Sequence, residues 1–156
     1  MKIMEFLNER AIACDLKAQT KEGVIRELVG LLVQAGAVKD KDVDAIMGIL
    51  KSREALGSTG IGQGVAIPHG KTNVVPHLVG AFGVSRAGVD FSSLDGTPAH
   101  IFFLLMAPED SAGPHLKALA RISRLLKDRH FRDSLKQARD EKSVLKLLVD
   151  EDQKRH

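Results

Sequence analysis

The chain predicts an α/β protein in which one β-sheet lies between layers of α-helix. Three observations carry that expectation. Helical periodicity occupies residues 20–56, short β-type runs occupy 65–106, and helical periodicity returns from Pro114 to near the C-terminus. The run from Ile101 to Met106 is apolar without a break, as expected of a central strand covered on both faces. Helices, then strands, then helices is an order that suits an α/β or α+β sandwich.

The elements follow from local chemistry. Ala11 to Leu16 is a short apolar run suited to an edge strand. Thr20 is placed to cap a helix with apolar positions Val24, Ile25, Leu28, Leu31 and Leu32, and Gly36 ends it. Asp40 opens a second helix with Val43, Ile46, Met47 and Leu50 on one stripe. Asp42 and Asp44 near its start, and Lys51 and Arg53 near its end, suit the helix dipole, and Gly57 is a natural stop. Val65 to Ile67, Val79 to Val84 and Ile101 to Met106 read as strands, with turns at 86–88 and 94–98. A long helical region runs from Pro114 through Leu116, Leu119, Ile122, Leu125 and Leu126, and Phe131 and Leu135 continue it. A terminal helix over 141–149 buries Val144, Leu145 and Leu148. The polar residues 151–156 are expected to fray, so 1–156 is read as a single domain with a loose tail.

Composition bounds the function. The 156 residues are 44% hydrophobic and 28% charged with a net charge of +3, ordinary for a globular chain. Without Trp or Tyr, base stacking on aromatic side chains is not expected, so no nucleic-acid partner is assigned. The charges are interspersed; the basic stretch 117–146 reads first as a solvated helix face and second as a dock for an acidic or phosphate-bearing partner. The single cysteine, Cys14, allows no internal disulfide and fits a reducing compartment. The N-terminus lacks a signal-peptide core, and the longest clean apolar run, Ile101 to Ala107, is far short of the ~20 residues a bilayer requires. The expected location is the cytoplasm, without membrane insertion.

The chemistry concentrates in residues 53–72. Arg53 ends a helix, and Gly60, Gly62 and Gly64 form a glycine-rich turn. The short apolar segment after it delivers His69 between Pro68 and Gly70. Proline restricts Ile67 to an extended form and glycine removes bulk on the other side, which suits an imidazole that another molecule must reach. A neutral imidazole is a nucleophile near pH 7 and can carry a group covalently. The competing reading is a packed structural histidine.

His115, after Pro114, falls in the first turn of its helix and shares a face with Leu119, Ile122 and Leu126, so it points towards the interior or a cleft. An anion is favoured at such a helix start. Arg53 continues the apolar stripe of Ile46 and Leu50 and is therefore expected on the core side, where its guanidinium needs a partner, either a carboxylate or a phosphoryl group. Ser58 and Thr59 can supply hydroxyl donors or shape the turn, and the turn role is favoured; with Gly70 they are candidate loop contacts to a phosphate. His77, His100, His130 and His156 are weaker candidates. No HExxH or Cys-x-x-Cys spacing indicates zinc, so no metal or cofactor is assigned. The glycine loop fits neither the Walker A nor the dinucleotide-binding pattern.

Ser58-Thr59-Gly60-Ile61-Gly62 and Ala66-Ile67-Pro68-His69-Gly70, with Arg53-Glu54 upstream and His115-Leu116 downstream, resemble the type-2 (mannitol/fructose-class) IIA domains of the bacterial phosphotransferase system, and within them the nitrogen-regulatory branch. The resemblance implies a single mixed, roughly five-stranded sheet flanked by helices. It implies that His69 accepts a phosphoryl group on Nε2 from an HPr-like phosphocarrier, with His115 stabilising the group and Arg53 neutralising its charge. In this sense the chain is a phosphotransferase component, a carrier more than a multiple-turnover enzyme. In the regulatory branch the phosphorylation state selects partner proteins, by analogy a potassium transporter or a sensor kinase. In transport members the phosphoryl group passes to a IIB domain. Those members often carry an acidic residue where this chain has Gln63, which favours the regulatory branch. A metal-assisted hydrolase built on His69 and His115 is the remaining class.

Overall fold

A computed structural model describes residues 1–155. Its elements in chain order are β1 (Leu7–Ala13), α1 (Lys21–Gln34), α2 (Val43–Ala55), β2 (Gly60–Gly62), β3 (Val65–Ala66), β4 (His69–Lys71), β5 (Val79–Val89), β6 (Ala99–Ala107), α3 (Ala112–Leu125), α4 (Arg129–Gln137) and α5 (Glu141–Gln153). The strands form one mixed sheet in the order β1-β5-β6-β3-β2, with β4 also pairing with β6. β1 runs parallel to β5, β5 antiparallel to β6, and β3 and β4 parallel to β6. Six strands replace the roughly five expected, because the glycine-rich stretch contributes three very short ones.

The sheet separates two cores, and β6 shows how. Phe102, Leu104 and Met106 pack with α1 and α2, whereas Ile101, Phe103 and Leu105 pack with α3, α4 and α5. The period of two along a strand thus serves two apolar layers, which is why the run reads as uninterrupted.

β3 and β4 lie in one line along β6, parted at Ile67-Pro68. Val65 and Ala66 pair with Ile101 and Phe102, and His69 to Lys71 pair with Leu105 to Ala107. Pro68 has no N–H to offer but its carbonyl accepts from Leu105 N at 3.0 Å, which carries the ladder across the break.

Several expectations are met. Thr20 Oγ1 accepts from Gly23 N at 3.1 Å and caps α1. Gly36, at φ +79°, ends it. β1 is an edge strand, although it spans Leu7–Ala13 and not 11–16.

Others are corrected. The turn expected at 86–88 is an irregularity within β5: the register with β6 shifts between Val84 and Val89, and Gly88 takes φ +84°. The long helical region is two helices, because Asp128 caps α4 by accepting from Phe131 N at 3.3 Å. The tail expected to fray from residue 151 is instead helical to Gln153, with Asp152 only 3% exposed and bound to Arg121. The last tail residue, His156, lies outside the described residues. Among the described residues no helix is long and apolar enough to cross a membrane.

Candidate phosphoryl-accepting site

Sequence-distant segments meet at the free side of β4. The end of α2 supplies Ile49, Ser52, Arg53 and Leu56, β4 supplies His69, Gly70 and Lys71, and the first turn of α3 supplies His115. Together they line an open hollow of about 520 Å³. A hollow of similar size, about 500 Å³, runs along α5 but contains no imidazole or guanidinium.

Gly70 is what lets α2 lie this close. A Cβ there would sit 2.7 Å from Ile49 Cγ2, so Ile49 would have to shift to admit any side chain. The other loop candidates do not reach the hollow. Ser58 Oγ donates to the Phe91 carbonyl and accepts from Gly60 N at 2.9 Å. Thr59 is buried and its hydroxyl donates to the Glu54 carboxylate. Both hydroxyls are spent on shaping the turn. Gln63 sits at the tip between β2 and β3 with φ +58°, its N–H held by Asp95 Oδ2 at 2.9 Å, and takes no part in the hollow.

His69 is half-buried, with Nδ1 2.7 Å from the carbonyl oxygen of Ile67. A carbonyl can only accept, so Nδ1 carries the proton and Nε2 keeps its lone pair. Burial holds the pKa of His69 below the usual histidine value, with the Arg53 charge adding to that effect and the Ile67 hydrogen bond opposing it. The neutral, nucleophilic form is therefore favoured at neutral pH.

The His115 ring meets that of His69 edge-on, with centroids 5.5 Å apart and planes at 72°. His115 is only 6% exposed, as its shared face with Ile122 and Leu126 requires. Desolvation, then the nearby His69 and Lys71 charges, lower its pKa to about 4. Its Nε2 is buried with no hydrogen-bond partner among the described residues. Buried polar atoms are nearly always satisfied, so an orphan beside an open hollow marks a place for a ligand group. α3 begins two residues earlier than expected, at Ala112, and Ser111 provides no side-chain cap for its first turn, in which Pro114 has no N–H to be capped.

Arg53 is not on the core side. It is half-exposed on the rim, where Nη1 donates to Gly57 O at 2.8 Å, and no carboxylate pairs with it among the described residues. The stripe that buries Leu50 reaches a half-exposed position one turn later, at Arg53. His77 and His130 are exposed away from the hollow, and His100 Nδ1 pairs with Ser85 O. No three metal-binding side chains converge among the described residues. The sequence reading missed Lys71. Its signal was available, since residues two apart on a strand face the same way and Lys71 follows His69 at that spacing.

Known proteins resemble the chain along nearly its whole length. The family model for the phosphoenolpyruvate-dependent sugar phosphotransferase system, EIIA 2, matches residues 5–151. The chain is 38% identical over 149 residues to the nitrogen regulatory protein of Bradyrhizobium diazoefficiens, covering 96% of this chain and 95% of that one. It is 41% identical over 152 residues to the fructose-specific EIIABC component of Bacillus subtilis, and covers 97% of this chain but only 24% of that much longer protein. The crystal structure of the nitrogen regulatory protein IIA-Ntr from Neisseria meningitidis superposes with a TM-score of 0.83 at 35% identity, covering 94% of this chain and 98% of that one. With a family match from residue 5 to 151, the chain belongs to the EIIA 2 family of the phosphotransferase system.

Proposed function

We propose that the chain is a phosphohistidine carrier of the nitrogen-regulatory kind, working in the cytoplasm. The carrying observation is His69 itself, with Nδ1–H held by Ile67 O and Nε2 free in the hollow. In the proposed step Nε2 attacks the phosphorus of a phosphohistidine on an HPr-like protein. A new N–P bond forms on His69 as the donor's N–P bond breaks, and no proton has to leave Nε2 because that nitrogen has none. Phosphoryl transfer demands positioning and charge stabilisation above all. Arg53 supplies charge, and neutral His115 turns its unpartnered Nε2 towards the transferred group, as a donor when that nitrogen holds the proton.

Apolar residues flank the hollow. Leu56 is 85% exposed and Leu116, next to His115, is 70% exposed. They supply a docking collar for the HPr-like carrier around a polar centre. The near full-length match to nitrogen regulatory proteins supports the regulatory output, in which partner proteins read the phosphorylation state. Potassium transporters and sensor kinases are the candidate partners by analogy. The identity to one segment of a fructose-specific EIIABC component supports a second reading, onward transfer to a IIB domain.

The test supplies phosphoenolpyruvate, enzyme I and an HPr-type protein. Wild type should gain an acid-labile phosphoryl group, His69→Ala should gain none, and His115→Ala should be slow but folded. Full labelling of the His69→Ala protein would refute the assignment. Offering IIB proteins to the labelled wild type separates the two readings.

A further inference from the structure

A phosphoryl group brings roughly two negative charges to the hollow. Before the group arrives His115, with a pKa of about 4, is neutral at pH 7 and offers hydrogen bonding without charge. The N-terminus of α3 is worth about half a positive charge. Arg53 adds one, with part of its guanidinium tied to Gly57 O. The Nδ1–H that His69 keeps makes the phosphorylated ring itself cationic, so the use of a further cation lies in its placement beside the phosphoryl oxygens and not in a deficit of charge.

Lys71 is the remaining cation. It lines the same hollow and sits on β4 on the side that carries His69. Its ammonium has no carboxylate within ion-pair distance among the described residues. Its charge is felt across the hollow at His115. Its backbone is fixed by pairing with Ala107 of β6, so the side chain swings from a rigid point. A free ammonium at the mouth of a site that receives a phosphoryl group has an evident use, since charge-assisted hydrogen bonds to phosphoryl oxygens are the strong ones.

We infer that Lys71 is a phosphoryl-binding residue that closes over the group on His69, pairs with its oxygens and sets how firmly the protein holds it. The inference rests on the proposed role of His69. In the unphosphorylated protein Lys71 stands in solvent; in the phosphorylated protein it is drawn inward. The same movement changes the surface a partner meets, so Lys71 both steadies the phosphoryl group on His69 and displays its presence.

The experiment compares wild type, Lys71→Gln, Lys71→Arg and Lys71→Glu. For each it measures the phosphoryl equilibrium with an HPr-type protein, the half-life of the phosphohistidine, its ³¹P chemical shift and the melting temperature. Lys71→Gln should move the equilibrium about fivefold towards the donor and shorten the half-life, and Lys71→Glu should do so further, about tenfold or more. Lys71→Arg should stay near wild type, and all melting temperatures should be unchanged because the side chain is exposed. The wild-type equilibrium should weaken as salt rises, and that of Lys71→Gln should weaken less. Wild-type equilibrium and half-life in both Lys71→Gln and Lys71→Glu would overturn the role of Lys71 while leaving His69 standing. Failure of the wild type to accept a phosphoryl group would overturn both.

Discussion

Two imidazoles with lowered pKa values make the residue scale sensitive to pH. In the unfolded chain each protonates near the ordinary histidine value of ~6.5. In the folded protein burial keeps both neutral to lower pH, with His115 at about 4 and His69 shifted in the same direction. Between these limits the unfolded state binds more protons, so stability rises with pH there. The contribution is fully present above about pH 6.5 and is lost as pH falls towards 4. His115 alone should account for up to about one proton taken up on unfolding in that window. Denaturant titrations from pH 7.5 to 4.5 should show the loss, and His115→Gln should flatten it. Phosphoryl acceptance should be level across neutral pH, since His69 is already neutral there. An unchanged slope in His115→Gln would mean that His115 is solvated and charged normally in the folded protein.

At the scale of elements, the site depends on how α2 is tied to the loop that follows it. Glu54, next to Arg53, is the tie. Its carboxylate accepts from Thr59 N at 3.1 Å and from the Thr59 hydroxyl, and pairs with Lys21 Nζ of α1 at 2.8 Å. Lys21 also lies over the Phe91 ring. The network joins α1, the end of α2 and the glycine-rich turn, which fixes where Arg53 stands. Glu54→Ala leaves buried Thr59 without its acceptor and should cost about 1–3 kcal/mol. Phosphoryl transfer should fall with it as Arg53 loses its anchor, whereas Glu54→Gln keeps an acceptor for Thr59 and should recover much of both. Chemical denaturation and labelling rates of the pair check this. The role of Glu54 was illegible in the sequence. A glutamate near a helix end is ordinary, and only the folded turn brings Thr59 and Lys21 to it.

Across the whole molecule, legibility follows the distance over which residues act. Periodicity within one element found α1, α2, the central strand β6 and the buried face of α3 that carries His115, and the Pro-His-Gly setting singled out His69 as the candidate acceptor. What it did not find depends on partners elsewhere in the chain: the side of α2 on which Arg53 emerges, the bulge in β5, and the C-terminal turn. That turn is the clearest case. Residues 151–155 look like a polar tail, yet Asp152 pairs with Arg121 of α3 at 2.7 Å and accepts from Ile3 N at 2.8 Å. Arg121 Nη2 and Lys2 Nζ take the carbonyls of Asp152, near the end of α5, and of Arg155 beyond it. The N-terminus, the C-terminus and the helix bearing His115 are thereby locked together. Removing one partner of a buried pair strands the other charge, so Asp152→Ala should destabilise the fold by about 3–5 kcal/mol. Replacing both, as Arg121→Met with Asp152→Leu, removes the stranded charge and should restore much of that loss, although Ile3 N and the α5 carbonyls still lose their partners. Because the lock sits six residues along α3 from His115, the single variant should also slow phosphoryl transfer, and the double variant should recover it. Equilibrium unfolding of both proteins decides the matter: a single variant as stable as wild type would show the C-terminal turn to be a tail after all.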